Sequence, residues 1–367
     1  CGPRVMSLRR PLASRWRTRA PDGRKLGGLA AVVLGTLLMT PGGLAQEEAV
    51  RGFEAVQEQI RAVFEHCRSA VVKVEATDDH GRLCGTGFFI DPNGTLFTTY
   101  SVGGETRDIS VLIAGRKHPA VRVVSDLRSG VAILKIEAET PFLVLGKSRD
   151  LSIATPVMTI GFPPDLPLSP SFGLVGGFDH KFQGRLFATT HIRANVATAG
   201  AQTGAPLMNL RGEAVGMVVG NPAPGASFVL PIEAAEKVRR DFLRFQQVRR
   251  GWLGLHVGGL DEPVDGSSAE VKDVLPDSPA LKAGIRKGDV LLQVGSRRIA
   301  SPEDVMDASF YLTATDEVSV RVSRGDEELT LTVQTTDYPD SLIQPLQSFA
   351  PGSVNTPDPQ SRQIDTP

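Results

Sequence analysis

Ala201-Gln202-Thr203-Gly204-Ala205-Pro206-Leu207 decides the reading of this chain. It is a run of small residues with one hydroxyl, Thr203, at its centre, and the apolar run Ala214–Val219 follows shortly after. A threonine hydroxyl acts as a nucleophile only beside a base that takes its proton. What the loop can do therefore depends on the basic side chains the fold brings to it.

Outward from the loop, short β-branched runs alternate with glycine, proline and aspartate: Val71–Val74, Ile109–Ile113, Ala120–Val124, Val131–Ile136 and Pro156–Ile160. Many short strands at this spacing predict an all-β barrel or sandwich domain over residues 70–231. Two of the runs, Val71–Ala76 and Arg82–Ile90, predict a hairpin around Asp78-Asp79-His80-Gly81. That pairing sets Cys84 near Glu75, which favours two ordinary thiols over a Cys67–Cys84 bond, although an exported compartment would permit one.

A connecting helix is expected over 232–250, with Ala235, Val238, Phe242 and Phe245 on one face. Gly251 opens a smaller unit that closes near Asp337. The stretch 338–367 is rich in Pro, Ser, Gln and Thr and is expected to be a disordered tail. Ahead of the β-rich region, Val50, Phe53, Val56, Ile60, Val63 and Phe64 recur at helical spacing. They predict an amphipathic helix over 46–69, packed on its own domain or serving as a contact between subunits.

At 367 residues, 41% of them hydrophobic and with a net charge of -1, the chain has length for two or three cored domains and no charge excess that calls for nucleic acid. Its conspicuous basic cluster, from Arg4 to Lys25, precedes the apolar run Leu26–Met39. That run is shorter than the ~20 residues needed to cross a bilayer core, so residues 1–45 read as an export signal with cleavage after Ala45. An uncleaved anchor, and with it membrane association, is the alternative. Neither a metal-ligand cluster nor a phosphate-cradling glycine loop is visible, and no cofactor is implied.

Three stretches in order resemble the HtrA/DegP family of exported serine proteases. They are Cys84–Asp91 with Leu96–Val102, then Gly130–Ile136, then Ala201–Leu207 with Asn209–Gly216. Ile160-Gly161-Phe162-Pro163 and Phe228–Ile232 add to the likeness. It implies a mainly β chain, a trypsin-like double β-barrel followed by an α+β PDZ domain. Carried over residue by residue, the family's histidine falls on Ser101, its aspartate on Gly130 and its serine on Thr203. Its oxyanion-hole amides fall on Ala201 and Thr203. All three triad groups are thus replaced, and a triad works only when an imidazole takes the nucleophile's proton while a carboxylate orients the ring. Of the six histidines, only His191, on an expected strand leading into the loop, is a candidate to stand in as the base.

Residues 251–337 resemble an HtrA-type PDZ domain in Arg250–Leu255, Val274–Ala280 and Ala283–Leu291. The resemblance implies a peptide-binding loop Trp252-Leu253-Gly254-Leu255, with Leu253 and Leu255 lining an apolar pocket. A helix capped by Ser301-Pro302 would form the opposite wall, with Met306, Ser309 and Phe310 on its groove face. Such domains add an extended peptide to a sheet edge and hold its terminal carboxylate in backbone amides. The expectation is an exported, catalytically inactive homologue that binds unfolded proteins or protein C-termini in protein quality control. The alternative is a weak serine-type endopeptidase acting through Thr203. The family likeness also implies a homo-oligomer, a trimer.

Overall fold

The computed structural model describes residues 41–339; most of the expected signal segment and of the expected tail lie outside them. In chain order the elements begin with α1 (Pro41–Cys67), β1 (Val71–Thr77), β2 (Arg82–Phe89), β3 (Thr95–Thr99), α2 (Tyr100–Gly103), β4 (Arg107–Ile113), β5 (Arg116–Pro119), β6 (Val121–Asp126) and β7 (Val131–Lys135). Then come β8 (Pro156–Gly161), β9 (Ser169–Phe182), β10 (Arg185–Ala194), β11 (Pro206–Met208), β12 (Ala214–Ala223), β13 (Ala226–Pro231) and α3 (Ile232–Phe245). The last part holds β14 (Gly251–Trp252), β15 (Leu255–Val264), β16 (Ser267–Val274), α4 (Pro279–Lys282), β17 (Val290–Val294), β18 (Arg297–Arg298), α5 (Pro302–Phe310), β19 (Glu317–Arg324), β20 (Glu327–Gln334) and β21 (Thr336–Asp337).

Helix α1 is described from Pro41 and includes Gly43-Leu44-Ala45, ahead of the expected boundary at 46; leucine and alanine are strong helix formers. From Val56 onward the described chain belongs to one compact unit. Within it, Ile60, Val63, Phe64 and Cys67 pack into the core of the β-rich region, so this end of the helix covers its own domain. Gln59 Nε2 donates to the Leu210 carbonyl at 2.7 Å and fixes the helix to the turn between β11 and β12.

The first half of the β-rich region is a seven-stranded sheet in the order β5-β4-β1-β2-β3-β7-β6, and the second is a closed barrel, β10-β13-β12-β11-β8-β9. The β1–β2 register puts Cys84 opposite Glu75 as expected, and Cys67 and Cys84 are both free thiols. Alternating apolar residues give the two halves one shared core. Phe88, Phe97 and Ile133 from the sheet meet Met158, Ile160 and Met217 from the barrel, and Ile232, Ala235 and Val238 of α3 close over them.

Helix α3 ends at Phe245, short of the expected 250, because Gln246 turns left-handed (φ 58°) and its N–H donates to the Phe242 carbonyl. The chain then enters the sheet β15-β16-β17-β19-β20, with β14 and β21 paired separately. Helix α5 begins as its sequence predicts: Ser301 and Asp304 form a reciprocal capping box with Pro302 at the first helical position. No helix among the described residues is long and apolar enough to cross a membrane.

Candidate active site and peptide groove

The fold brings the segments of Ser101, Gly130 and Thr203 around β2. Ser101 lies on the single turn α2 that ends β3, with its hydroxyl 3.0 Å from that of Thr99. The N–H of its neighbour Tyr100 donates to the Gly130 carbonyl at 2.7 Å, which ties α2 to the β6–β7 turn. Thr86, on β2, holds the Thr203 loop: its N–H donates to the Thr203 carbonyl at 2.9 Å and its hydroxyl to the Ala201 carbonyl at 3.1 Å. Thr98, on β3, donates in turn to the Thr86 carbonyl at 2.8 Å.

The chemical groups do not match this placement. Gly130 has no side chain, and its left-handed φ of 73° suits glycine. Gly200–Gln202 forms a short 3₁₀ turn. Within it the Thr203 N–H donates to the Gly200 carbonyl at 3.2 Å, and the Thr203 hydroxyl donates to the same oxygen at 3.1 Å. One carbonyl thus takes both donors that an oxyanion and a proton-accepting base would need. The Gln202 side chain folds back and accepts the Ala199 N–H at 2.7 Å. Ala201 lies outside the left-handed region, which instead holds Gly204 at φ 89°, so alanine fits at 201 without strain.

His191 is held on its own strand. Its Nδ1 lies 2.8 Å from the Thr189 carbonyl, and its ring stacks on Phe187 with centroids 4.2 Å apart. Burial pushes its imidazole down to about 4. The segment leading into the Thr203 loop is also laced to the barrel. Asn221 Nδ2 donates to the Thr198 carbonyl at 2.6 Å and Thr198 Oγ1 donates to Asn221 Oδ1 at 2.7 Å. Ser227 Oγ donates to the Val196 carbonyl at 2.9 Å. Among the described residues, no group of His, Cys, Asp and Glu side chains is gathered to hold a metal ion.

In the second unit, the Trp252–Leu255 loop is held from behind. The Gly254 carbonyl accepts the Leu275 N–H at 3.0 Å and the Leu253 carbonyl accepts the Ala280 N–H at 2.9 Å. Gly254 has φ 80°, and a Cβ there would lie 2.2 Å from the Ser278 Cβ, so the loop cannot carry a side chain at this position. Strand β15 pairs with β16 on one side and ends the sheet on the other, leaving an edge beside α5, where a Cβ on Gly259 would stand 4.0 Å from Pro302. Leu255 is half-buried, and the Trp252 ring lies over Gly254.

Two side chains are not where the sequence led us to expect them. Leu253 is buried in the core of this unit with Val271, Leu291 and Val320, because its turn faces inward; it contributes backbone rather than a pocket wall. Phe310 packs with the core of the β-rich region and lies under the Arg128 guanidinium, 5.7 Å from the ring centroid. The helix faces two bodies, and Phe310 belongs to the face turned to the barrel. Met306 is exposed beside His180 and Leu186, and the Ser309 hydroxyl donates to the Met306 carbonyl at 2.8 Å.

That second face of α5 carries residues that sequence reasoning missed. Asp307, buried, accepts the Thr189 hydroxyl at 2.5 Å and the Thr190 N–H at 2.7 Å, and also binds Arg297. Asp241 of α3 accepts the Thr313 hydroxyl at 2.8 Å and pairs with the buried Lys237 at 2.5 Å. Arg250 reaches Asp126, at the end of β6, at 3.5 Å. Asp126, four positions before Gly130, is therefore a carboxylate of the domain junction, its other oxygen accepting the Ser129 N–H at 2.9 Å.

A model of the trypsin-like peptidase domain matches residues 85–217, and a model of the PDZ domain matches residues 245–335. The chain is 30% identical over 277 residues to a probable periplasmic serine endoprotease, DegP-like, of Halomonas elongata, covering 71% of this chain and 58% of that one. A protein of the same description from Hahella chejuensis is 27% identical over 297 residues, covering 77% and 63%. The chain thus spans about three-fifths of the length of these curated relatives. Among solved structures, the HtrA-type protease AlgW with a tripeptide superposes with a TM-score of 0.63 at 23% identity, over 76% of this chain and 97% of that one. The serine endoprotease from Yersinia pestis gives 0.55 at 25% identity, over 76% and 98%.

Proposed function

For a chain built as a trypsin-like peptidase domain followed by a PDZ domain, the HtrA/DegP-type arrangement, we propose an exported pseudoprotease that binds unfolded proteins or protein C-termini without cleaving them. The observation that carries this reading is the Thr203 loop, where the Gly200 carbonyl accepts both the amide and the hydroxyl of Thr203. With Ser101 and Gly130 at the other two positions, neither a proton acceptor nor an orienting carboxylate supports that hydroxyl. Loss of triad members in serine proteases costs about 10⁴ to 10⁶ in turnover.

Peptide binding falls to the second unit, whose Gly254 loop and free β15 edge are the parts that strand addition requires. Relatives named periplasmic and the basic-then-apolar N-terminal segment support a periplasmic location. A role in protein quality control, as a chaperone, scaffold or regulator, follows from binding without hydrolysis. A homo-oligomer, a trimer by family likeness, belongs to the same proposal.

The relatives' description as serine endoproteases favours a second reading, weak hydrolysis through Thr203. Long incubation of the purified protein with unfolded casein, beside Thr203→Ala, separates the two. Absence of cleavage by both, together with binding of C-terminal peptides, supports the pseudoprotease. Cleavage abolished by the substitution overturns it.

A further inference from the structure

The free edge of β15 changes character along its length, and that change bears on which peptide it accepts; the argument rests on the reading of this groove as a binder of C-terminal peptides. A terminal carboxylate held at the Trp252–Leu255 loop makes the peptide run antiparallel to β15, from Leu255 toward Val264. At a rise of ~3.4 Å per residue, the strand carries the groove about 20 Å from Leu255 to Asp261. The stretch near Leu255 is apolar or small, with Val257, Gly258 and Gly259 following His256. The stretch beyond is acidic.

Asp261 and Glu262 are both exposed and have no hydrogen bond or ion pair among the described residues. They lie where the β15–β16 register shifts between Gly259 and Val264, out of the regular ladder. Across the groove, Pro302 opens α5 near Gly259, while Glu303 lies beside His180 and Leu186 on the face turned to the barrel. The Asp304 carboxylate is taken up by the Ser301 cap and by His180, 3.6 Å away. Of the neighbouring cations, Lys272 is held on Glu270, and Arg298 sits by the Gly266 turn.

We infer that the groove selects C-terminal peptides carrying lysine or arginine about six residues upstream of an apolar end, with Asp261 and Glu262 as the selecting residues. The apolar end is read by the loop and the basic residues by the acidic stretch. Two exposed ion pairs give a preference of about twofold to thirtyfold that high salt removes.

The test is fluorescence anisotropy with the full chain and labelled ten-residue peptides sharing one apolar C-terminus. They differ only at two upstream positions, Lys-Lys, Gln-Gln or Glu-Glu, and the Lys-Lys peptide is also made with an amidated end. The expected order is Lys-Lys tighter than Gln-Gln by about fivefold and Glu-Glu weakest. Asp261→Asn with Glu262→Gln should erase the order among the three free-acid peptides. Equal affinities for the three free-acid peptides, with amidation still abolishing binding, overturn the charge selection and spare the groove. Binding that ignores amidation, or no binding by any peptide, overturns the groove reading and the selection with it.

Discussion

Asp307, on the PDZ helix α5, accepts the hydroxyl hydrogen of Thr189, on the barrel strand β10, at 2.5 Å. The two residues are 118 positions apart, and the contact is buried. It makes α5 a shared wall: one face completes the PDZ core through Val305 and Ala308, and another docks on the barrel through Asp307 and Phe310. The PDZ unit is thereby joined to the trypsin-like unit by hydrogen bonds and packing as well as by the chain.

Asp307→Ala should loosen this junction. The substitution leaves the Thr190 N–H and the Thr189 hydroxyl without their buried acceptor, a loss of about 1–3 kcal/mol. Hydrogen exchange at the Thr190 amide should accelerate by about fivefold to a hundredfold if opening of the junction governs it. An unchanged exchange rate would show that the docking does not depend on this carboxylate.

Gly204 is the glycine that the Thr203 loop cannot replace. An added Cβ would lie 2.0 Å from the Thr86 carbonyl oxygen, and the residue sits at φ 89°. Gly204→Ala should cost at least about 2 kcal/mol and lower the melting temperature by about 4–8 °C. Ala201→Gly, at a position outside the left-handed region, should change stability by less than about 1 kcal/mol. Thermal unfolding followed by circular dichroism reads both, and equal melting temperatures for the two variants would contradict the assignment.

Strand positions were legible because β-branched runs and turn residues alternate so regularly; the Glu75–Cys84 register followed from one hairpin and its Asp78 turn. The trypsin-like domain around the Thr203 loop was legible from the flanks of that loop. The faces of α5 were not, because helical spacing gives the period of a face and not which of two neighbouring bodies it meets. Phe310 reads as an apolar groove residue until the barrel is set against it. Asp126, Asp241 and Asp307 are ordinary surface acids in sequence, and their burial depends on partners across the domain junction. The partner of the Thr203 amide likewise turned on a backbone detail, the 3₁₀ turn at Gly200, that residue types alone do not specify.

His191 should make stability depend on pH in mildly acidic solution. Burial lowers its folded-state value from 6.5 to about 4, so between these values the unfolded chain binds the proton and the folded chain does not. Its stability contribution is fully present above about 6.5 and is lost as pH falls toward about 4, by about 3 kcal/mol in all. Urea unfolding of the protein and of His191→Phe at pH 7 and pH 4.5 should show a larger fall for the protein than for the variant. Parallel falls would mean that His191 titrates normally in the fold.

Placing histidine, aspartate and serine at positions 101, 130 and 203 should not produce a protease. Ser101→His, Gly130→Asp and Thr203→Ser together supply a base, a carboxylate and a nucleophile at positions the fold brings around β2. The Gly200 carbonyl would still accept the amide of residue 203, as it does at 3.2 Å, and loss of one oxyanion donor alone costs about 10² to 10³ in turnover. Aspartate at position 130 would also inherit a φ of 73°, which non-glycine residues adopt only at a cost. The triple variant should therefore remain unlabelled by a fluorophosphonate probe and leave casein intact. Stoichiometric labelling at residue 203 would mean that the 3₁₀ turn opens readily and does not by itself block nucleophilic attack.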